Sequence, residues 1–208
     1  MRLHVVNHPL VSHKLTVLRD ENTDSPTFRR LTDELVTLLA YEATREVRVD
    51  PLDITTPVGP TTGVYLAQPK PMVVPILRAG LGMLDGVLDM IPSAKVSVVG
   101  LSRNHETLQP ENYFEKFVGK LDERTAIIID PMLATAGSMI ATVNLLKARG
   151  CKDIRALVLV AAPEGVKALN DAHPDVRCWT AAIDSHLNDV GYIIPGLGDA
   201  GDKIFGTK

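Results

Sequence analysis

Hydrophobic residues recur every three or four positions in the first third of the chain, which predicts an amphipathic helix. Over residues 26–45 the apolar positions that share one helical face are Phe28, Leu31, Leu35, Leu38 and Leu39. Ser25 followed by Pro26 is a typical start signal for such a helix. Residues 47–70 are instead rich in Thr, Pro and Gly and contain short β-like pieces. We predict that they form a small hairpin or arm.

Beyond residue 72 the pattern changes to short, uniformly apolar runs that alternate with helical stretches. The runs are MVVPIL (72–77), KVSVVGL (95–101), TAIIID (125–130) and IRALVLVAA (154–162). Runs without a polar face are typical of strands buried on both sides. Their alternation with helical stretches such as SMIATVNLLKARG predicts an α/β protein with a parallel sheet covered on both faces. Proline cannot donate to a sheet ladder, so we expect Pro75 at an edge or a bulge.

Composition narrows the class of protein. The chain has 208 residues, which suits one domain: helices and arm (1–70), an α/β core (71–184) and a tail (185–208). A net charge of −3 without blocks of like charge gives no footprint for nucleic acid or anionic membrane. Cys151 and Cys178 are too few for a disulfide framework and form no zinc motif, so we expect buried, reduced thiols. No signal peptide or long apolar span is visible, which indicates a cytoplasmic protein.

Ligands of parallel sheets bind beyond the carboxyl ends of the strands, which directs attention to the loops there. DPMLATAGS (130–138) joins a strand to a helix with small residues, whose backbone N–H groups can converge on a phosphate. Asp130 would repel a phosphate and suits neutral hydroxyls instead, so the loop as a whole fits a ribose 5-phosphate. A plain helix-capping loop with a solvated Asp130 fits the spacing equally well.

Two further loops carry candidate binding groups. Arg78 and Arg103 each stand at the end of a predicted strand, where two guanidinium groups could clamp a pyrophosphate. Taken singly, each arginine also fits a surface ion pair. GLGDAGD (196–202) is too rich in glycine to predict helix or strand, and its backbone could approach a flat ligand closely. The alternative for this segment is a flexible tail.

The chain resembles the uracil phosphoribosyltransferase family over essentially its whole length. The motifs that carry the resemblance are LLAYEAT, VVPILRAGLGMLDGV, DPMLATAGS, LVAAPEGV and YIIPGLGDAGDKIFGT. The resemblance implies the type I phosphoribosyltransferase fold: a mostly parallel central sheet flanked by helices, with an N-terminal helical segment, a small β-arm and a C-terminal hood. It also implies transfer of phosphoribosyl from phosphoribosyl pyrophosphate (PRPP) to uracil, giving UMP and pyrophosphate in pyrimidine salvage.

By this resemblance the site residues fall into two groups. Those implied to bind PRPP are Arg78, Arg103, Asp130, Pro131, Met132, Leu133, Ala134, Thr135, Ala136, Gly137, Ser138 and Asp199. Those implied to bind uracil are Ile193, Gly198, Asp199 and Ala200. Arg103 and Asp199 would act in catalysis, without a nucleophilic side chain. Mg²⁺ would be carried by the diphosphate and water, with few or no direct protein ligands.

The chain departs from the family pattern in two loops. The family has two adjacent glycines where this chain has Ala136 and Gly137, and alanine fits only if position 136 does not need a positive φ. Ser102 and His105 replace an expected tyrosine and acidic residue. His105 fits a catalytic base less well than a surface histidine.

Partners and alternatives complete the sequence-based expectations. The family implies a homodimer or homotetramer and, in some members, activation by GTP. Two other functions stay open: a uracil- or nucleotide-sensing regulator that uses the same fold to bind RNA or protein, and a transferase specific for another base.

Overall fold

The computed structural model describes residues 1–103 and 110–207, with the side chains of Arg103 and Pro110 left out. The strands, in chain order, are β1 (Arg2–Val5), β2 (Val49–Thr55), β3 (Pro60–Leu66), β4 (Met72–Leu77), β5 (Lys95–Val96), β6 (Val98–Arg103), β7 (Pro110–Lys116), β8 (Thr125–Ile129), β9 (Met132–Leu133), β10 (Asp153–Ala161), β11 (Arg177–Ile183), β12 (His186–Leu187) and β13 (Ile193–Ile194). The helices are α1 (Pro9–Arg19), α2 (Ser25–Ala43), α3 (Leu84–Met90), α4 (Gly137–Ala148), α5 (Pro163–Ala172) and α6 (Ala200–Phe205). Short 3₁₀ helices cover Ala79–Met83 and Leu121–Glu123.

A central sheet runs in the order β1-β11-β10-β8-β4-β6-β7, with β5 beside β4 and β9 beside β10. Its pairs are parallel except for β6 with β7. Successive residues of β8 face opposite sides, because side chains alternate along a strand. Ile127 and Ile129 pack in one hydrophobic cluster, called the first cluster below, and Ile128 packs in the other, called the second cluster. The predicted mostly parallel sheet with two covered faces is confirmed.

Helix α2 supplies much of the first cluster, through the stripe seen in the sequence. Phe28, Leu35 and Leu39 are fully buried, and the helix contacts α1, α3, α6 and β10. It begins one position earlier than the Ser25 signal indicated, because the carboxylate of Asp24 accepts the N–H of Thr27 and caps the helix. It ends at Ala43 rather than Arg45. Among the described residues, none of the helices combines the length and the apolar content needed to cross a membrane.

Pro75 occupies a different place from the one expected. Strand β4 lies inside the sheet, so the expectation of an edge position was wrong. On one side Pro75 is aligned with Ile129 of β8. On the other side β4 pairs first with β5, at Met72 and Val73, and then with β6, from Ile76 onward. The proline therefore lies opposite the break between two partner strands, where a missing donor is least costly.

The predicted arm is a hairpin of β2 and β3, which pair with each other as a separate two-stranded sheet. The pairing runs from Val49 opposite Leu66 to Thr55 opposite Pro60. The hairpin exposes large apolar side chains, namely Leu52, Ile54, Val58, Val64 and Tyr65. A two-stranded hairpin is marginally stable by itself in water. This hairpin nevertheless leaves an unusually large apolar surface uncovered.

The C-terminal tail is more regular than its glycine content suggested. The expectation that residues 196–202 form neither helix nor strand was wrong from Ala200 onward, where α6 begins. The carboxylate of Asp199 accepts the N–H of Asp202 at 3.0 Å and caps that helix. Helix α6 contacts α2 and the 3₁₀ helix at Ala79–Met83. Packing of α6 thereby holds the tail to the body of the protein.

Both cysteines are buried, as the composition suggested. Burial raises the pKa of the Cys151 thiol to about 11 and that of Cys178 to about 12. Since the thiolate is the reactive form, neither side chain is suited to nucleophilic chemistry at neutral pH.

Candidate active site

Three neighbouring strands bring the predicted phosphate and pyrophosphate loops to one edge of the sheet. β8, β4 and β6 are adjacent and parallel, so their carboxyl ends lie side by side. Asp130 follows β8, Arg78 follows β4, and Arg103 is the last residue of β6. The side chain of Arg103 and the whole of His105 lie outside the described residues, whereas Ser102 is exposed and paired with Glu111 of β7.

The loop at 130–138 encloses a cavity of about 160 Å³ at the start of α4. Its lining residues are Asp130, Met132, Leu133, Ala134, Thr135, Ala136, Gly137, Ser138 and Met139. Helix α4 has no side chain that caps its first N–H groups and no acidic residue in its first turn. Those N–H groups and the positive end of the helix dipole are available to an anion. The loop therefore has the geometry of a phosphate site rather than of a self-capped helix start.

Ala136 adopts the left-handed conformation, with φ of 67°. The condition under which alanine would fit without strain is therefore not met, because this position does use a positive φ. The conformation costs about 1–2 kcal/mol for an L-residue. The methyl group is 5% exposed and packs in the second hydrophobic cluster with Leu133 and Met139. Burial of that methyl, worth about 0.8 kcal/mol, offsets part of the strain.

Replacing Ala136 tests this balance. We expect Ala136→Gly to change the free energy of unfolding by less than about 1 kcal/mol, because relief of strain is cancelled by loss of the methyl and by a more flexible unfolded chain. Ala136→Val should lose about 2 kcal/mol or more, since a branched side chain tolerates positive φ poorly. Urea unfolding measures both. Ala141→Val, within the same helix, is the control and should lose less; an equal loss would contradict the assignment.

Asp130 keeps partial contact with solvent at the end of the interior strand β8. Burial raises the pKa of this carboxyl to about 7, and the nearby N–H of Met132 lowers it in part. Near neutral pH the group is therefore divided between acid and carboxylate. In either form it can hydrogen-bond to hydroxyl groups, whereas the ionised form disfavours a neighbouring phosphate.

The raised pKa has a consequence for stability. A carboxyl whose folded-state pKa lies above its unfolded value favours folding at low pH, and this contribution is lost as the pH rises through 7. We expect Asp130→Asn to be more stable than the wild type, by a margin that grows by about 2 kcal/mol between pH 5 and pH 8. Urea unfolding at a series of pH values measures it. Asp122→Asn, at an exposed position, should show no comparable growth; a flat margin for Asp130→Asn would disprove the raised pKa.

Arg78 lies between the carboxyl end of β4 and the C-terminal helix. Its Nη2 donates to Oδ1 of Asp202 at 3.0 Å, and its guanidinium lies 5.4 Å from the centre of the Phe205 ring. The side chain is 53% exposed, so one face of the guanidinium stays open to solvent. Gly201 adjoins both the Arg78 guanidinium and the Asp199 carboxylate. Arg78 is thus brought together with the tail residues that the sequence assigned to the base.

The four predicted base-binding residues occupy different environments. Gly198 is exposed, has φ of 72°, and has open space where a side chain would project. Asp199 is exposed and caps α6, whereas Ala200 is buried. Ile193 is 4% exposed and packs in the first cluster with Leu197 and Ile204. In this arrangement Ile193 could meet a ligand mainly through its backbone, and the open surface is that of Gly198 and Asp199.

Gly80 is the point at which the loop that carries Arg78 contacts the end of strand β8. A side chain at this position would overlap the carbonyl oxygen of Ile129, the last residue of β8. The backbone of the 3₁₀ helix at Ala79–Met83 therefore lies directly against the strand end that carries Asp130. Close approach of this kind requires glycine, and it brings the two loops into one site.

Sequence reasoning missed a polar cluster that holds the tail. Arg19, at the end of α1, forms a forked ion pair with Asp184, and both side chains bond to the backbone of Gly196. One signal was present, because Asp184 directly follows strand β11 as Asp130 directly follows strand β8. Arg19 carried no such signal, since a cation in the last turn of a helix is common.

Two other observations bear on ligands. A cavity of about 420 Å³ lies between β1, α1 and α2, lined in part by His4, Tyr41 and Trp179, and it is separate from the strand-end loops. Over residues 1–103 and 110–207, the structure contains no group of three or more His, Cys, Asp or Glu side chains arranged to hold a metal ion.

Comparisons with known proteins bear on the family and on the fold. A family model described as uracil phosphoribosyltransferase matches residues 5–207. The AQ2163 protein from Aquifex aeolicus is 34% identical, covers 99% of each chain and superimposes with a TM-score of 0.94. A hypoxanthine-guanine phosphoribosyltransferase from Bacillus anthracis is 11% identical, with 76% of this chain and 80% of that chain covered and a TM-score of 0.54.

A third structure agrees in fold. Hypoxanthine phosphoribosyltransferase from Trypanosoma cruzi is 12% identical, with 76% of each chain covered and a TM-score of 0.51. At such identities the similarity to the hypoxanthine enzymes concerns the fold alone. The predicted type I phosphoribosyltransferase fold is confirmed.

Proposed function

Because the chain belongs to the uracil phosphoribosyltransferase family, whose chemistry is phosphoribosyl transfer, we propose that it transfers the 5-phosphoribosyl group of PRPP to N1 of uracil. The products would be UMP and pyrophosphate, and the reaction would serve pyrimidine salvage in the cytoplasm. The observation that carries the proposal is the loop at 130–138, which contains both an uncapped helix N-terminus and a carboxyl whose pKa is raised by burial. A phosphate beside hydroxyl groups is the ligand that this pair of features suits.

The phosphate loop would hold the ribose 5-phosphate. The first N–H groups of α4 and the hydroxyls of Thr135 and Ser138 are the donors for the phosphate oxygens. Asp130 would accept hydrogen bonds from the ribose hydroxyls, a role for which the carboxylate is the better form. Because the pKa of Asp130 is about 7, both forms are present near neutral pH. Sugar binding would then favour the ionised form.

Arg78 and Arg103 would bind the pyrophosphate. Displacement at the anomeric carbon passes through an oxocarbenium-like state in which negative charge builds on the leaving group. Guanidinium groups fixed in advance stabilise that charge without reorganising during the reaction. Phe205 and Asp202 hold Arg78 in place before any ligand arrives. Mg²⁺, the cofactor we expect, would be bound by the diphosphate oxygens near Asp199 and would add positive charge there.

The exposed backbone around Gly198 and Asp199 would receive the uracil. An acceptor facing N3–H and a donor facing O4 would suit uracil, whereas cytosine presents the opposite pattern. Alignment of the base with the sugar, rather than a nucleophilic side chain, would supply much of the acceleration. Asp199 lies beside Arg78 across Gly201, which supports a role for it at the junction of the base and the pyrophosphate.

The direct test is release of pyrophosphate from PRPP and Mg²⁺ with uracil, cytosine or orotate as acceptor. We expect turnover with uracil to exceed turnover with either other base by several powers of ten, because a mismatched base would cover polar groups of the backbone without pairing them. Preference for another base would contradict the uracil assignment. Uracil binding without turnover by a folded protein would favour the regulator instead, and RNA binding that weakens with salt would then identify its partner.

Substitution of Arg78 and Asp199 tests their roles. We expect Arg78→Ala and Asp199→Asn each to lower kcat about a hundredfold, the effect of one lost charge-stabilising contact. Asparagine keeps the cap of α6, so the second variant removes the charge without loosening the helix. Arg45→Ala is a matched control, since Arg45 also pairs with a carboxylate, that of Glu42, and lies 5.5 Å from an aromatic ring, that of Tyr41. An unchanged rate in either test variant would remove that residue from the site.

The exposed apolar hairpin supports a homodimer or homotetramer. Val58 at its tip is 98% exposed, and Val64 on β3 is 70% exposed. Patches of this kind often mark protein interfaces. Light scattering should therefore give a mass at least twice that of one chain, and Val64→Asp should lower it; a monomeric wild type would contradict this. GTP activation remains a prediction from the family.

A further inference from the structure

We propose that Arg19 and Asp184 are positioning residues for the base turn, which we define as residues 196–200. The inference rests on the proposed function, because it takes the base turn to be the surface that receives the pyrimidine. Neither residue would touch the substrate. They would act by fixing the backbone that does.

The two side chains form a forked ion pair between separate parts of the fold. Nη1 and Nη2 of Arg19 donate to Oδ2 and Oδ1 of Asp184 at 2.8 and 2.5 Å. The Asp184 side chain is 4% exposed and that of Arg19 is 21% exposed. Charge-assisted bonds of this forked kind are among the strongest and most directional in proteins. Helix α1 and the carboxyl end of β11 are therefore joined at a defined separation.

The same pair holds both backbone groups of Gly196. The N–H of Gly196 donates to Oδ2 of Asp184 at 2.9 Å, and its carbonyl oxygen accepts from Nη1 of Arg19 at 2.9 Å. The two successive peptide groups that meet at Gly196 are thus both held by a nearly buried ion pair, which leaves the residue little freedom to rotate. The start of the base turn is thus fixed to the body of the protein.

Gly196 also sets the direction of the residues that follow it. It has φ of 64°, and a side chain there would overlap the carbonyl oxygen of Ile193. Leu197 is buried next, and Gly198 then emerges with φ of 72° into open space. A rotation at Gly196 would therefore be carried directly into the backbone atoms of Gly198 and Asp199.

The phosphate loop is anchored by different contacts. β9 pairs with β10, and the N–H of Ala162 donates to the carbonyl oxygen of Leu133 at 2.9 Å. Loosening the base turn should consequently weaken binding of the base more than binding of PRPP. This separation distinguishes a positioning role from a general loss of stability.

Steady-state kinetics of Arg19→Met, Arg19→Lys and Asp184→Asn test the proposal, with each substrate varied in turn. We expect Arg19→Met and Asp184→Asn to raise the KM for uracil about tenfold and the KM for PRPP by less than about twofold, as for one lost charge-assisted bond. Arg19→Lys keeps a cation and should lie between Arg19→Met and the wild type. If Asp184→Asn does not fold, the two Arg19 variants supply the comparison.

Glu34→Gln is the matched control, because Glu34 of α2 forms an ion pair with Lys14, which lies on helix α1 as Arg19 does. This ion pair does not involve the base turn. It should leave both KM values unchanged. Equal rises in both KM values for the Arg19 variants, or no rise for uracil, would overturn the positioning role.

Amide hydrogen exchange tests the mechanical part without relying on activity. Peptides covering residues 193–199 should exchange faster in Asp184→Asn and Arg19→Met than in the wild type, while peptides covering residues 132–138 should not. Unchanged exchange at 193–199 would overturn the proposal. A wild type that turns over no uracil would instead contradict the proposed function and leave the exchange result to decide the anchoring role.

Discussion

The burial of strand β8 between β10 and β4 is the constraint on which the rest of the site depends. An interior strand must satisfy its backbone on both sides, which fixes its register to Leu157 on one side and Pro75 on the other through Ile129. The strand therefore ends at a defined point, with Asp130 immediately beyond it. The low solvent access that burial imposes on this carboxyl raises its pKa. Strand packing, loop position and acid strength thus have one physical origin.

Helix ends in this protein divide according to what satisfies their first N–H groups. His8, Asp24 and Asp199 supply side-chain acceptors for α1, α2 and α6. Helix α4 lacks such an acceptor and begins at a strained alanine instead. A capped start favours the folded chain by itself, whereas an uncapped start retains its affinity for an outside anion. Helices α3 and α5 also lack such an acceptor, but each carries an acidic residue in its first turn, Asp85 and Glu164, whereas α4 has neither. The start of α4 is therefore the most open of these six helix starts to an outside anion.

Much of the fold followed from local sequence, because each interior strand is a contiguous apolar run and α2 carries a regular stripe. The loop at 130–138, which lines a cavity at the start of α4, could also be picked out from the sequence because its residues are consecutive. The prediction for Pro75 was wrong because the break between β5 and β6 depends on the partner strands. The apolar run that contains Pro75 does not encode those partners. The φ of Ala136 also depends on how α4 packs, which small-residue spacing cannot specify.

Arg19 and Asp184 lie 165 positions apart, so no local pattern could pair them. The same holds for Arg78 and Asp202, which meet only because α6 packs against the end of β4. Candidate binding residues were thus easier to propose from the sequence than residues that hold a loop backbone in place. The former lie in compact loops, whereas the latter are brought together by the tertiary fold.

In the role proposed for Arg78, an incoming anion would compete with Asp202 for the guanidinium. Its free energy of binding is then the difference between two pairings, not the full attraction of an isolated cation. Phe205 remains beneath the guanidinium in either state, so the orientation need not be rebuilt at each exchange. The carboxylate is also available to reclaim the arginine once an anion has been cleaved free. An arginine with a nearby alternative partner would bind an anion reversibly, which suits the release of pyrophosphate in the proposed reaction.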